Sequence, residues 1–302
     1  MNYANDIREL IGNTPILKIN NFDIKKDVNI FVKLECFNPG GSVKDRIGIY
    51  MIAKAEEEGT LKKGDTIIEA TAGNTGLGIA LGAINKGYRV IFVVPEKFSI
   101  EKQLLMKALG AELINTPREL GMQGAMEKAQ ELIKTIPNSV SLKQFENPDN
   151  PMAHYLTTGP EIYSSMDNKI DYFVAGAGSG GTFTGIAKYL KEKNPDIKAV
   201  IADPQGSTIG GGSEGCYTIE GIGNNFIPET LNMSLVDEVI KVNDIEAFNT
   251  VKELARREGL IVGSSSGAAM AVVLKLAKSI KCGNIVTIFP DRGDRYFSKN
   301  LY

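Results

Sequence analysis

Short apolar runs alternate with amphipathic helical patterns along this chain, and the two periods rarely mix. The apolar runs predict strands at 29–35, 65–70, 89–95, 111–116, 171–176, 198–203 and 284–290. Helical spacing between them predicts helices at 45–59, closed by Gly59, at 77–87, at 99–110 and at 183–193. Ser99 stands as N-cap of the 99–110 helix, and Glu101 in its first turn suits the helix dipole. Residues 259–277 read as a short strand, a serine cluster suited to N-capping, and an apolar helix. Strands alternating with helices are the signature of an open α/β fold with parallel strands. The prolines in 147–151 mark a seam, and the glycine-rich 206–215 marks a mobile loop. Open α/β sheets bind ligands beyond the carboxyl ends of their strands, so the chemistry is to be sought there.

Charge and cysteine usage narrow the function. Lys plus Arg number 34 against 36 Asp plus Glu, a net charge of −2. That lacks the basic footprint of a nucleic-acid or membrane-surface binder. No run of about 18 apolar residues occurs. The N-terminal MNYANDIREL lacks the layout of a secretory signal. Cys36, Cys216 and Cys282 form no CxxC pair, which fits a reducing cytoplasm and offers no zinc framework. His154 is the only histidine, which leaves no multi-histidine metal site.

One lysine is oddly placed. In NPGGSVKDR (38–46), Lys44 follows two glycines and a serine and opens a helix. Its charge opposes the positive end of the helix dipole, so it is either solvated or chemically used. That field would lower its pKa and favour the free amine, the nucleophile needed for a Schiff base.

Three loops at strand ends supply anion-binding groups. EATAGNTGLG (69–78) combines Gly73 and Gly76 with Thr71, Asn74 and Thr75, a nest for a carboxylate or phosphate at a helix N-terminus. GAGSGGT (176–182) satisfies GxGxxG, with Asp203 ending the next strand, so a nicotinamide-dependent dehydrogenase is a rival reading. Its Ser179, Gly180 and Thr182 make it richer in donors than a pyrophosphate turn requires. The serines of GSSSG (263–267) offer a hydroxyl for a ring nitrogen. A lysine, two anion nests and a serine cluster together suit pyridoxal 5'-phosphate holding an amino-acid substrate.

These motifs, with IGNTPI (11–16), PEKFSIEK (95–102), NPMAHYLTTGPEI (150–162), EGIG (220–223) and EGLIVGSSSGA (258–268), carry a resemblance. The chain resembles the cysteine synthase and cystathionine β-synthase family, with the tryptophan synthase β-like fold of pyridoxal-phosphate enzymes of fold type II. The resemblance implies two open twisted α/β subdomains with the active site between them. A large phosphate-binding domain would span 1–40 and 147–302, and a smaller mobile substrate-binding domain 41–146. Lys44 would bind the cofactor and act as general base. Asn74 would meet the ring hydroxyl, and Gly178, Ser179, Gly180, Gly181 and Thr182 would hold the phosphate. Ser265 would face the pyridine nitrogen, with Ser266 left open. Thr71, Ala72, Asn74, Thr75 and Gln144 would clamp the substrate carboxylate, and Gly221, Ile222 and Gly223 would line the site. Ala72 stands where the family often has serine. His154 reads as structural.

The implied reaction is β-replacement on O-acetylserine or serine. Asp45 after the lysine, Lys97 and NPMAHY resemble the short bacterial cystathionine β-synthases, with homocysteine as acceptor. Cysteine synthase, with sulfide, and a cysteine lyase releasing hydrogen sulfide are the alternatives. A cytoplasmic homodimer acting on small molecules is implied.

Overall fold

A computed structural model describes residues 3–71, 73–96, 98–299 and 301–302. Its strands, in chain order, are β1 (Ile16–Ile19), β2 (Val28–Leu34), β3 (Thr66–Ala70), β4 (Arg89–Pro95), β5 (Glu112–Thr116), β6 (Ser139–Val140), β7 (Tyr172–Gly176), β8 (Lys198–Pro204), β9 (Glu238–Val242) and β10 (Gly283–Phe289). They form two sheets. A six-stranded sheet runs β1-β2-β10-β7-β8-β9, parallel except for β1, and a four-stranded parallel sheet runs β5-β4-β3-β6.

Helices cover both faces of each sheet, which is why the central strands read as unbroken apolar runs. The helices are α1 (Lys44–Glu57), α2 (Asn74–Ala83), α3 (Ile100–Ala108), α4 (Gly121–Thr135), α5 (Asp149–Ala153), α6 (Gly159–Ser165), α7 (Gly181–Lys193), α8 (Asp244–Glu258) and α9 (Ser264–Ser279). One π-helical turn, His154–Thr158, joins α5 to α6. Ile47, Met51, Leu77 and Ile79 of α1 and α2 pack on Phe92 of the small sheet, and α4 covers its other face through Ala125 and Ala129. In the large sheet, α9 packs on one face and α7 on the other.

All seven predicted strands are present within a residue or two of their expected ends, and β1, β6 and β9 are additional. Four expectations change. Helix α2 stops at Ala83, because Asn85 and Gly87 adopt positive φ (58° and 81°) and cannot continue it. The seam at 147–151 contains the start of α5, where both prolines lie before the helix needs their N–H groups. The short strand expected at 259–262 is a single bridge between Val262 and Arg292. The N-cap of α9 is Gly263, with no side-chain cap, so the serines lie inside the helix's first turn. Ser99 does cap α3, accepting from the Lys102 N–H at 3.2 Å. The 206–215 stretch carries no regular element and is closed by Gly215 N–H donating to the Gly206 carbonyl at 3.0 Å. Ala72 and Lys97 lie outside the described residues.

Candidate active site

A cavity of about 730 Å³ opens where the carboxyl ends of β3, β7 and β10 converge, between the two sheets. The chain entering α1 runs beside the chain leaving β10: the Val43 N–H donates to the Pro290 carbonyl at 2.8 Å, and Ser42 bridges to Asp291. That pairing sets Lys44, first residue of α1, into the cavity wall beside Asp291. Its Nζ has no hydrogen bond or ion pair with any described residue. Burial lowers the Lys44 pKa from 10.5 to about 8, and the Asp291 carboxylate pulls the other way. Removal from water acts in the same direction as the expected helix field.

The 71–76 turn shows how donors are freed for a ligand. Thr71 Oγ1 accepts from the N–H groups of Gly73 (3.0 Å) and Gly76 (3.1 Å), which leaves its own hydrogen unused. Thr75 Oγ1 donates to Gln144 Oε1 at 2.6 Å, which leaves both amide hydrogens of Gln144 unused. Thr71, Thr75 and Gln144 all line the cavity. Asn74 is held at both ends: its Nδ2 donates to Asp291 Oδ2 at 2.7 Å and its Oδ1 accepts from Arg295 at 2.9 Å. One Nδ2 hydrogen remains.

Across the cavity, Gly178, Ser179, Gly180 and Thr182 line the wall. Gly180 is the N-cap of α7 in the left-handed region (φ +83°), where glycine is favoured. No side chain caps α7, so its first N–H groups are left for an anion. Gly181 starts that helix but is not on the wall. Behind the loop, His154 is fully buried, with Nδ1 at 2.9 Å from Thr158 Oγ1 and Nε2 at 3.1 Å from Thr182 Oγ1. Burial, with Arg46 and Lys44 nearby, holds its pKa well below the ordinary 6.5, so the ring is neutral and braces Thr182.

Gly221, Ile222 and Gly223 close a third side. Ser265 is on the wall, and Ser266 is not: its Oγ is buried without a hydrogen-bond partner among the described residues. Ser264 is on the wall too, and its Oγ accepts from the Glu220 N–H at 3.0 Å.

Several wall residues carried no local sequence signal. Asp291 is 1% exposed and accepts from Tyr296 at 2.6 Å as well as from Asn74. Lys102 is 3% exposed and donates to Tyr296 at 3.0 Å and Glu220 at 3.2 Å. The position of Asp291 just past a strand's carboxyl end was the one available clue. Asp203, the expected ribose ligand of the dehydrogenase reading, is buried. It is paired with Lys241 at 2.6 Å and accepts from the Gly210 N–H at 3.0 Å. Among the described residues, no helix is long and apolar enough to cross a membrane.

Comparison with known proteins finds relatives along nearly the whole chain. A family model described as pyridoxal-phosphate dependent enzyme matches residues 7–291. The O-acetylserine dependent cystathionine beta-synthase of Bacillus subtilis (strain 168) is 53% identical over 303 residues, spanning 100% of this chain and 99% of that one. A cysteine synthase of Helicobacter pylori (strain ATCC 700392 / 26695) is 49% identical over 299 residues, 98% of each chain. The crystal structure of an O-acetylserine dependent cystathionine beta-synthase from Helicobacter pylori superposes with a TM-score of 0.95 at 47% identity, covering 100% of both chains.

Proposed function

The chain belongs to the pyridoxal-phosphate dependent enzymes, in the cystathionine β-synthase and cysteine synthase type, and on that premise we propose β-replacement on O-acetylserine with homocysteine, giving cystathionine. The observation that carries the reading is the Lys44 amine, without a hydrogen bond or ion pair to any described residue, in the wall of a cavity that also holds the unused donors of Thr71 and Gln144. An aldehyde cofactor needs an amine, and its phosphate needs unsatisfied N–H groups. This chain offers both, the second at the uncapped start of α7. Lys44 would hold the cofactor's aldehyde carbon. Ser179, Gly180, Gly181 and Thr182 would hold the phosphate, Asn74 the ring hydroxyl, and Ser265 the ring nitrogen.

When bound, the cofactor supplies a sink for the electrons left at the substrate's α-carbon. The protein supplies position and proton movement. The Thr71 hydroxyl and the Gln144 amide would donate to the substrate carboxylate, orienting the Cα–H bond. With its pKa near 8, Lys44 has a free-amine population at neutral pH to take that proton, and its ammonium form returns it after the thiol adds. The 221–223 loop would exclude water from the reacting β-carbon.

Homocysteine and sulfide differ in charge, and the wall bears on the choice. Arg118, exposed on the cavity lining, is a charge that a zwitterionic thiol would meet and that sulfide would not need. The relative at 53% identity supports the same acceptor, while the cysteine synthase at 49% supports sulfide. The deciding assay compares kcat/KM for homocysteine and for sulfide, each with O-acetylserine and with serine. Preference for homocysteine is expected. Clear preference for sulfide would replace this reading with cysteine synthase.

A further inference from the structure

Two ligand-holding segments from different parts of the fold meet at one side chain. Asn150, in the first turn of α5, is 1% exposed. Its Nδ2 donates to the Gln144 carbonyl oxygen at 2.7 Å and to Ser179 Oγ at 2.9 Å. One NH2 group has two hydrogens, and each goes to a different segment. Gln144 lies just past β6 of the small sheet, and Ser179 just past β7 of the large one. The amide also packs beneath the start of α7, since a Cβ on Gly181 would fall 2.1 Å from Asn150 Oδ1.

Thr230 makes the same connection from another side. Its Oγ1 donates to the Ser179 carbonyl, and its N–H donates to the Phe145 carbonyl at 3.3 Å. Thr230 is 4% exposed. Buried acceptors left without donors are costly, so these links hold both loops to one geometry.

We propose that Asn150, seconded by Thr230, is a positioning residue that locks the Gln144 segment to the Ser179 loop, so that one side chain sets both cofactor affinity and substrate affinity. The cofactor half rests on family membership. The substrate half rests on the function proposed above. Asn150 itself touches neither ligand. Its amide keeps Ser179 oriented with the hydroxyl hydrogen free for phosphate. It also keeps the Gln144 backbone where the side-chain amide meets a carboxylate.

The test uses three single variants and two readouts. Affinity for pyridoxal phosphate is measured on the stripped protein by fluorescence titration, and KM for O-acetylserine on the reloaded enzyme. Ser179→Ala is expected to weaken cofactor binding with little change in KM. Asn150→Ala is expected to weaken cofactor binding and raise KM, each by about tenfold, with a smaller change in kcat. Thr230→Val, nearly isosteric, is expected to move both in the same direction by less. It decides the matter if Asn150→Ala fails to fold. An Asn150 variant that changes neither quantity, or only one, overturns the coupling. Wild-type protein that does not turn over O-acetylserine overturns the substrate assignment instead and leaves the cofactor arm to be read alone.

Discussion

Asn74, the first residue of α2, donates to the Asp291 carboxylate at 2.7 Å, across the gap between the small sheet and the loop leaving β10. Tyr296 donates to the same oxygen at 2.6 Å, and the other oxygen is buried without a hydrogen-bond partner among the described residues. A carboxylate kept in this position attracts the Lys44 ammonium and opposes the effect of burial. Replacing it with a neutral amide, Asp291→Asn, should therefore lower the Lys44 pKa below about 8. The free amine is what reacts with the cofactor's aldehyde. The rate of cofactor uptake by stripped protein should thus rise through an inflection at lower pH than in the wild type. An unchanged or higher inflection would contradict the assigned role of Asp291.

Removing the amine altogether is a blunter test. Lys44→Ala should abolish the visible absorption of the lysine–cofactor bond and cut turnover by about 10²–10⁴-fold or more. Spectrum and rate should fall together. Retained turnover would remove the basis for the whole site assignment.

Asp45, the next residue, is fully buried, with its carboxylate beside the Gly40 and Ser42 backbone. Burial pushes its pKa from 3.8 up to about 7, against the attraction of Arg295. A carboxyl raised in the folded state favours folding fully below 3.8, and that advantage is lost as pH rises through about 7. Asp45→Asn should match the wild type in stability near pH 3.5 and exceed it increasingly toward pH 7. Above that the gap should hold constant at roughly 2–4 kcal/mol. Denaturant melts of both proteins from pH 4 to pH 8 would show this, and a gap that stays flat with pH would count against it.

The strands and the polar loops lining the cavity were more legible in the sequence than the rest of its wall, for physical reasons. Central strands buried on both faces leave unbroken apolar runs, and nests at helix starts leave dense clusters of Gly, Ser, Thr and Asn. Lys44, Thr71, Asn74 and Ser179 were visible for that reason. The strands β1 and β9 sit at sheet edges, are only partly buried, and carry mixed residues such as Lys18 and Lys241, so no run betrays them. Asp291 and Lys102 are harder still. Each owes its role to partners far away in sequence, Asn74 for one and Glu220 with Tyr296 for the other, and no local spacing encodes such a pairing.

One step along α1 from Asp45, Arg46 bonds both Glu35 (2.7 Å) and Glu161 (2.7 Å), and Lys33 reaches Glu161 at 2.7 Å. Arg46 and Lys33 outweigh the burial of Glu161 and hold its carboxyl at about 2, below the ordinary 4.5. A depressed carboxyl stabilises above pH 4.5, and that stability is lost as pH falls toward 2. The shift corresponds to roughly 3 kcal/mol. Glu161→Gln should therefore lose about that much at neutral pH, with the difference from wild type shrinking between pH 4.5 and pH 2. Equal stability at pH 7 would show that the network is neutral in free energy.

Gly178 tests whether the phosphate loop and the 221–223 loop are one unit. A Cβ at Gly178 would stand 2.3 Å from the Gly221 carbonyl oxygen, closer than any side chain tolerates. The two loops are also tied by hydrogen bonds. Asn224 Nδ2 donates to the Gly178 carbonyl at 2.6 Å, and the Gly223 N–H donates to the Ala177 carbonyl at 2.7 Å. Gly178→Ala must therefore push the 221–223 loop outward or tilt the phosphate loop, because the obstacle is backbone rather than a side chain able to swing away. Overpacking of this kind costs about 1–3 kcal/mol. Unlike a distant core change, the distortion falls on N–H groups assigned to the phosphate. Affinity for pyridoxal phosphate should accordingly drop about tenfold or more along with the melting temperature. Gly178→Ala protein that melts lower but binds the cofactor as tightly as wild type would show that the loop's donors are not what holds the phosphate.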